Sequence, residues 1–177
     1  MTSVALFALL LGAVGAERVA ELVVSSRNVS AALVRGAVER GRGHYPAMVV
    51  LHTGLLAGAL LEVVVADRPF HLWLGAPMLV LVLAAQSLRW WCIETLGPQW
   101  NTRVVVLPGA GRVRSGPYRW LRHPNYLAVV VEGLALPLVH SAWVTAVLFT
   151  VANAILLRTR IRCEERALTE LGHGAPV

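Results

Sequence analysis

Long apolar stretches separated by short polar ones set the outline of this chain. A helix that crosses a bilayer needs about 20 mostly apolar residues. Val4 to Val24 is the first such run, Pro46 to Ala66 the second and His71 to Trp91 the third, with a kink expected at Pro77. Leu127 to Arg158 is too long for one ordinary span, and Pro137 interrupts it. It reads as a helical hairpin, Tyr126 to Pro137 and then Trp143 to Cys163, with the second arm reaching past the hydrocarbon. The expected fold is all-α and integral to a membrane, with about five transmembrane helices, the last two a tight hairpin. The pattern predicts one domain over residues 1–177: three N-terminal spans in 1–91, then a loop, the hairpin and a C-terminal helix in 92–177.

The polar connections assign the sides. Residues 25–45 carry four arginines and residues 99–122 carry five, against Arg68 alone in the opposite turns. Positive charge marks the cytoplasmic side, so the N-terminus is expected outside and the C-terminus in the cytoplasm. Composition agrees: 56% of residues are hydrophobic and 15% charged, where a soluble domain has about 25% charged. All 16 basic residues are arginine and the net charge is +6. A basic balance can signal nucleic acid, but these arginines flank apolar spans, which excludes that reading. No basic segment precedes Val4, so the first span is expected to be a retained helix and not a cleaved signal peptide. Cys92 and Cys163 have no metal-ligand spacing and imply no disulfide; no metal is expected.

Several polar residues lie inside or at the ends of the spans. Glu17 and Glu21 are four apart and share a helix face with Ser25 and Asn28. With Arg18 they either reach for the interface or line a polar interior. His52 reads first as a packed histidine, and Glu62 is one turn from the end of its span. Gln86 and Arg89, next to Trp90 and Trp91, read as an interface. In the long connection 92–126, Val104 to Leu107 is a short β-like run, and Gly109, Gly111 and Gly116 follow. The glycine spacing is not that of a dinucleotide-binding turn.

The densest polar and aromatic cluster is Ser115-Gly-Pro-Tyr-Arg-Trp-Leu-Arg-His-Pro-Asn-Tyr126. Pro117 and Pro124 constrain its backbone. Two readings stand: a basic loop that orients the chain, or part of a cofactor site. The tight hairpin brings this loop to the end of the last helix, where Arg160 and Glu164 are four apart and share a face. Ion pairing at a helix end is worth only a few tenths of a kcal/mol. It does not account for a facing loop rich in His, Asn and Tyr.

Gly116-Pro-Tyr-Arg-Trp-Leu-Arg-His-Pro-Asn-Tyr126, followed about 35 residues on by Arg160-Ile-Arg-Cys-Glu-Glu-Arg-Ala-Leu168, resembles the isoprenylcysteine carboxyl methyltransferase family of membrane enzymes. Leu96-Gly-Pro-Gln-Trp100 fits as well, and the resemblance covers residues 88 to 170. The first helix, Glu17-Arg-Val-Ala-Glu-Leu with Ser26-Arg-Asn28, resembles a bacterial branch in which some members O-methylate alkylresorcinols or alkylpyrones.

The resemblance implies an S-adenosylmethionine site made by Ala110, Gly111, Arg112 and Val113, by Tyr118, by His123, Pro124, Asn125 and Tyr126, and by Glu164. It implies that Arg160 is catalytic and faces the methyl acceptor. The family's upstream glutamine has no counterpart, since the ungapped position is Arg103. The residue types suit the chemistry. A sulfonium and an ammonium want a carboxylate and aromatic faces, and a carboxylate wants arginine or backbone N–H groups. Methyl transfer needs alignment and exclusion of water. Arg160 can hold a carboxylate or stabilise a phenolate. A phenol, with a pKa of about 10, needs a base or a cationic neighbour, for which His52, Glu62 and Glu21 are candidates.

The expected function is therefore an integral-membrane S-adenosylmethionine-dependent O-methyltransferase. Its acceptor would be a lipophilic small molecule entering sideways from the bilayer; the cofactor would enter from the cytoplasm. Its other partners are membrane lipids, with no nucleic acid, and the oligomeric state is open. A phospholipid N-methyltransferase is the nearest rival, but an amine sits poorly beside Arg160 because like charges repel. A small transporter or structural membrane protein is the rival from another class. A transporter predicts polar residues near the bilayer midplane, whereas the clusters here lie at the cytoplasmic ends, His52 apart.

Overall fold

A computed structural model describes residues 2–41, 43, 45–109 and 113–172, the side chains of residues 171 and 172 excepted. Five helices form the body: α1 (Thr2–Val34), α2 (Tyr45–Val65), α3 (Leu72–Leu96), α4 (Pro124–Leu138) and α5 (Trp143–Gly172). Two short strands, β1 (Val38–Arg40) and β2 (Val104–Val106), complete it. Among the described residues four helices are long and apolar enough to cross a membrane, and Pro124–Leu138 is a shorter apolar helix. Leu9, Val50 and Leu148 are largely exposed, at 70%, 71% and 65%. Large apolar side chains facing outward along a helix are what a lipid environment calls for. The protein is an all-α integral membrane protein.

The core sits where α1, α2, α3 and α4 converge. Phe7, Leu11 and Val14 of α1 meet Ala59 and Val63 of α2, Val82 of α3, and Ala135 and Leu136 of α4. Small residues let helix backbones approach in a membrane, where lipid removes the hydrophobic drive for association. Gly133 does this between α4 and α5, since any side chain there would overlap the Phe149 ring. The α4–α5 turn is closed by Ala142 N–H bonding to the Pro137 carbonyl at 3.0 Å. Glu62 of α2 then accepts from the Val144 and Thr145 N–H groups at 3.1 and 2.7 Å. It thereby satisfies two of the orphan donors that begin α5.

Three expectations are corrected. First, α1 continues ten residues past Val24, because its polar end has partners. The Ser25 hydroxyl accepts from the Thr102 N–H at 2.8 Å, and Asn28 donates to the Gly97 and Trp100 carbonyls at 3.2 and 2.7 Å. Second, the Val104 run is a strand, but its partner lies in a segment read as loop. It pairs antiparallel with β1, Val38 opposite Val106 and Arg40 opposite Val104. Val104 and Val106 pack on Ala167, so this ribbon rests on the end of α5. Third, Arg89 is no interface anchor; it is 6% exposed and held inside the bundle.

That interior is polar. Arg18 of α1 donates to Glu21 at 2.8 and 2.7 Å, to Gln86 of α3 at 2.7 Å and to both oxygens of Glu132 of α4 at 3.1 Å. Arg89 donates to Glu21 at 2.6 Å and stands 3.8 Å from Glu132. Gln86 and Trp90 both donate to Glu17. Glu17 and Glu21 thus take the interior alternative. Breaking a buried ion network by removing one member leaves uncompensated charge, at a cost of about 3–5 kcal/mol. Arg18→Ala is expected to lower stability by that amount, read as a large fall in thermal midpoint in detergent. Arg18→Lys should recover only part, since an ammonium cannot reproduce the planar fork that reaches three acceptors.

Candidate active site

The loop from Ser115 to Tyr126 is shaped by its backbone requirements. Gly116 has φ +53°, and a side chain there would overlap Thr95 of α3. Glycine is the residue that tolerates both. Gly116–Arg119 form a 3-10 turn with Pro117 buried. Pro124 then opens α4, where its missing N–H costs nothing. This sequence of turn and helix start places Tyr118, His123, Asn125 and Tyr126 beside the last turns of α5.

Tyr126 is the junction. Its hydroxyl donates to the Glu164 carboxylate and accepts from Arg160 Nε at 2.9 Å. Arg160 lies 5.6 Å from the Tyr126 ring centroid, and its Nη1 is 2.7 Å from the Met48 sulfur of α2. Arg160 is 6% exposed. His123 stacks on Tyr126 with centroids 5.3 Å apart. Its Nδ1 is 3.8 Å from Glu164 and its Nε2 is 3.4 Å from Glu165. The chain Glu164–Tyr126–Arg160 thus links a carboxylate, a phenol and a buried cation in one line.

These groups line a cavity of about 220 Å³ between the turn after α3, β2, the loop and α5. Val113, Tyr118, His123, Asn125, Tyr126, Arg160 and Glu164 all border it. Pro124 is buried at the helix start next to them. Ala110, Gly111 and Arg112 lie outside the described residues. Burial, and then the Cys92 thiol beside it, push the Tyr118 phenol above its ordinary range, so it remains protonated at neutral pH. Arg103, at the position of the missing glutamine, also borders the cavity. It is committed elsewhere, lying 4.9 Å over the Tyr45 ring and 3.4 Å from Glu39.

Two contributors were not legible beforehand. Trp100 and Asn101 border the cavity, and the Trp100 indole N–H and the Asn101 and Asn125 side-chain oxygens are buried without a partner among the described residues. Buried polar groups are normally hydrogen-bonded, so three such atoms around one cavity form an open set of donor and acceptors. The Leu96–Trp100 stretch was the available signal, but only its place under α1, fixed by Asn28, turns the indole inward. Glu132 was also missed; an acid alone in a long apolar run is the signal that could have found it.

The three expected helpers part company. Glu62 caps α5 and pairs with Arg68 at 2.9 Å, toward the opposite end of the bundle from the cavity. Glu21 is 3% exposed and bound to Arg18 and Arg89. His52 is one helical turn along α2 from Met48, the residue that Arg160 touches.

A polar cavity thus lies at one end of the bundle of membrane helices, bordered by Arg160 and Glu164, which the Tyr126 hydroxyl links. Residues 78–170 match the model of the isoprenylcysteine carboxyl methyltransferase (ICMT) family. The chain is 39% identical over 166 residues to uncharacterized protein YpbQ of Bacillus subtilis (strain 168), covering 93% of this chain and 98% of that one. It is 27% identical over 151 residues to an uncharacterized protein of Haemophilus influenzae (strain ATCC 51907 / DSM 11121 / KW20 / Rd), covering 85% and 87%. The chain belongs to the isoprenylcysteine carboxyl methyltransferase family and is a membrane methyltransferase.

The junction can be tested by itself. Tyr126→Phe keeps the ring but removes the hydroxyl that serves Glu164 and Arg160 together. Leaving a buried charged donor underserved costs about 1–3 kcal/mol. Thermal unfolding of the purified variant in detergent is expected to show a loss of that size, with the helical content unchanged by circular dichroism.

Proposed function

We propose that the protein methylates an oxygen of a lipid-tailed acceptor with S-adenosylmethionine, working at the cytoplasmic face of the bacterial cytoplasmic membrane. The observation that carries this is the Glu164–Tyr126–Arg160 chain of hydrogen bonds at the inner wall of the cavity. It presents a carboxylate to one side and a guanidinium to the other, which is what a cationic donor and an anionic acceptor require.

The residues fit the cofactor. Glu164 supplies a negative charge for its cationic groups, and Tyr118, kept neutral, supplies an aromatic face. An adenine ring has an exocyclic amine that needs an acceptor and ring nitrogens that need a donor. The unpartnered Asn125 oxygen and Trp100 indole N–H match that pair. When bound, the cofactor supplies an activated methyl group on a sulfonium. The protein holds Arg160 rigid between Tyr126 and Met48, so the acceptor oxygen would meet a fixed charge and not one that must reorganise. Burial of the guanidinium makes the interaction stronger than it is in water.

The acceptor is either a carboxylate, as in an isoprenylcysteine, or a phenolic or enolic hydroxyl, as in an alkylresorcinol or alkylpyrone. A phospholipid amine is disfavoured by Arg160. The acceptor's tail would lie among the helices, entering from the bilayer. The arginine bias of residues 25–45 and 99–122 supports the cytoplasmic placement. A transport reading would look to the charges inside the bundle, but Arg18, Arg89, Glu21 and Glu132 are bonded to one another.

Isothermal titration of the detergent-solubilised protein with S-adenosylmethionine tests the reading, and absence of binding would sink it. Glu164→Ala is expected to abolish that binding. Arg160→Ala is expected to keep it while turnover falls by about 10²–10³, the size of losing one preorganised donor. Normal binding by Glu164→Ala would show that the site lies elsewhere.

A further inference from the structure

A second cleft lies at the end of α5 and shares no residue with the cavity. It measures about 430 Å³ and opens between Arg40 of β1 and Thr159, Arg162, Cys163 and Arg166 of α5. Arg162 and Arg166 are four apart, so their side chains stand on one face of the helix. Both are exposed, and neither forms a hydrogen bond or ion pair among the described residues. Glu170 also borders the cleft, 3.8 Å from Arg40 in an exposed pair. Among the described residues it is the one carboxylate on the cleft, set against three guanidiniums. Such a surplus of planar forks suits an anion with several oxygens, above all a phosphate.

The source of that phosphate follows from the helix beneath the cleft. Leu148, Val151 and Ile155 of α5 are 65%, 57% and 65% exposed. Thr159, Arg162, Arg166 and Glu170 continue the same face at steps of three and four residues. One stripe of a membrane helix thus changes from apolar to cationic at Thr159 without turning away from the lipid. Arg162 and Arg166 lie about 5 and 10 Å past Thr159 along the axis. A headgroup layer is about 5–8 Å deep. An acyl chain laid on the apolar part of the stripe therefore brings its own phosphate to the arginines. Arginines that only orient a chain need no more than the correct side of the membrane. They need neither a common cleft nor a strand from a distant part of the chain to supply the third.

We propose that this cleft binds the phosphodiester of an anionic glycerophospholipid, held by Arg162 and Arg166 of α5 and Arg40 of β1. The charge balance selects the headgroup. A zwitterionic head would bring an ammonium into a site that already holds three cations, and like charges repel. A bound phosphate also ties β1 to α5, adding to the packing of Val104 and Val106 on Ala167 that seats the ribbon. The site is independent of the methyltransferase reading above.

Cys163 reports occupancy, since it borders the cleft and is half-buried, whereas Cys92 is 0% exposed. The full chain in maltoside detergent is treated with N-ethylmaleimide, and the labelled cysteine is located by peptide mass mapping. Dioleoylphosphatidylglycerol added to the micelles is expected to slow labelling of Cys163 severalfold. The same amount of dioleoylphosphatidylethanolamine should leave the rate nearly unchanged. So should inorganic phosphate and glycerophosphoglycerol, which offer the anion without the tails. In Arg162→Gln/Arg166→Gln the lipid concentration giving half-protection should rise about fivefold for each arginine removed, the size expected of one basic residue at an anionic lipid surface. Arg27→Gln/Arg119→Gln removes the same charge from exposed positions elsewhere and should be protected like wild type.

No protection of the wild-type cysteine by phosphatidylglycerol would overturn the proposal, and that measurement needs no variant. Equal protection by phosphatidylethanolamine would also overturn it, because tails alone would then cover the cysteine. Protection by inorganic phosphate would mean an anion site with no need of a lipid. A loss in the Arg27 and Arg119 pair as large as in the cleft pair would assign the effect to the diffuse charge of the whole face. Either result would reject the lipid site.

Discussion

Arg18 sits on the first helix and bonds to groups on the third and fourth, and much of the structure depends on that arrangement. Two guanidiniums and three carboxylates share the interior with Gln86 between them. A charge buried among apolar helices is tolerable only when its partners are in place. In a bilayer there is little hydrophobic preference for one rotation of a helix over another. A network that forms in one register and not in the rest therefore fixes α1 against α3 and α4, with Arg89 Nη1 left at 3.8 Å from Glu132.

Register at Arg18 has consequences farther along α1. It delivers Ser25 and Asn28 to the backbone of residues 97–102. That turn carries Trp100 and Asn101 into the cavity wall and leads directly into β2. The ribbon of β1 and β2 then packs on Ala167, close to Glu164. The polar half of α1 is thus part of what holds the site open. The other half of the site is carried by the α4–α5 hairpin, pinned at its far end by Glu62 and along its length by the fit of Phe149 against Gly133.

The division of labour at the site follows from where each residue stands relative to Arg160. Tyr126 and Glu164 lie on the cavity side, Met48 and His52 on the side of α2. In the proposed reaction the cation would meet the acceptor while the Glu164 carboxylate meets the cofactor, with the Tyr126 hydroxyl between them.

The sequence by itself determined the helices, since apolar runs of spanning length admit few other structures in a bilayer. It also determined that the Ser115–Tyr126 loop and the Arg160–Glu164 turn meet, because a hairpin too short to wander joins them. Tyr118, His123, Asn125, Tyr126, Arg160 and Glu164 were named from the family resemblance and border one cavity. What only the tertiary structure decided were the pairings between residues far apart in the chain. Arg89 reads as an interface residue until Glu21 and Glu132 are seen to surround it, and residues 38–40 read as loop until β2 lies beside them. Glu21, His52 and Glu62 look alike in sequence as polar residues in apolar helices. Which of them is bonded across the bundle depends on whether another helix supplies a partner, and local periodicity carries no record of that.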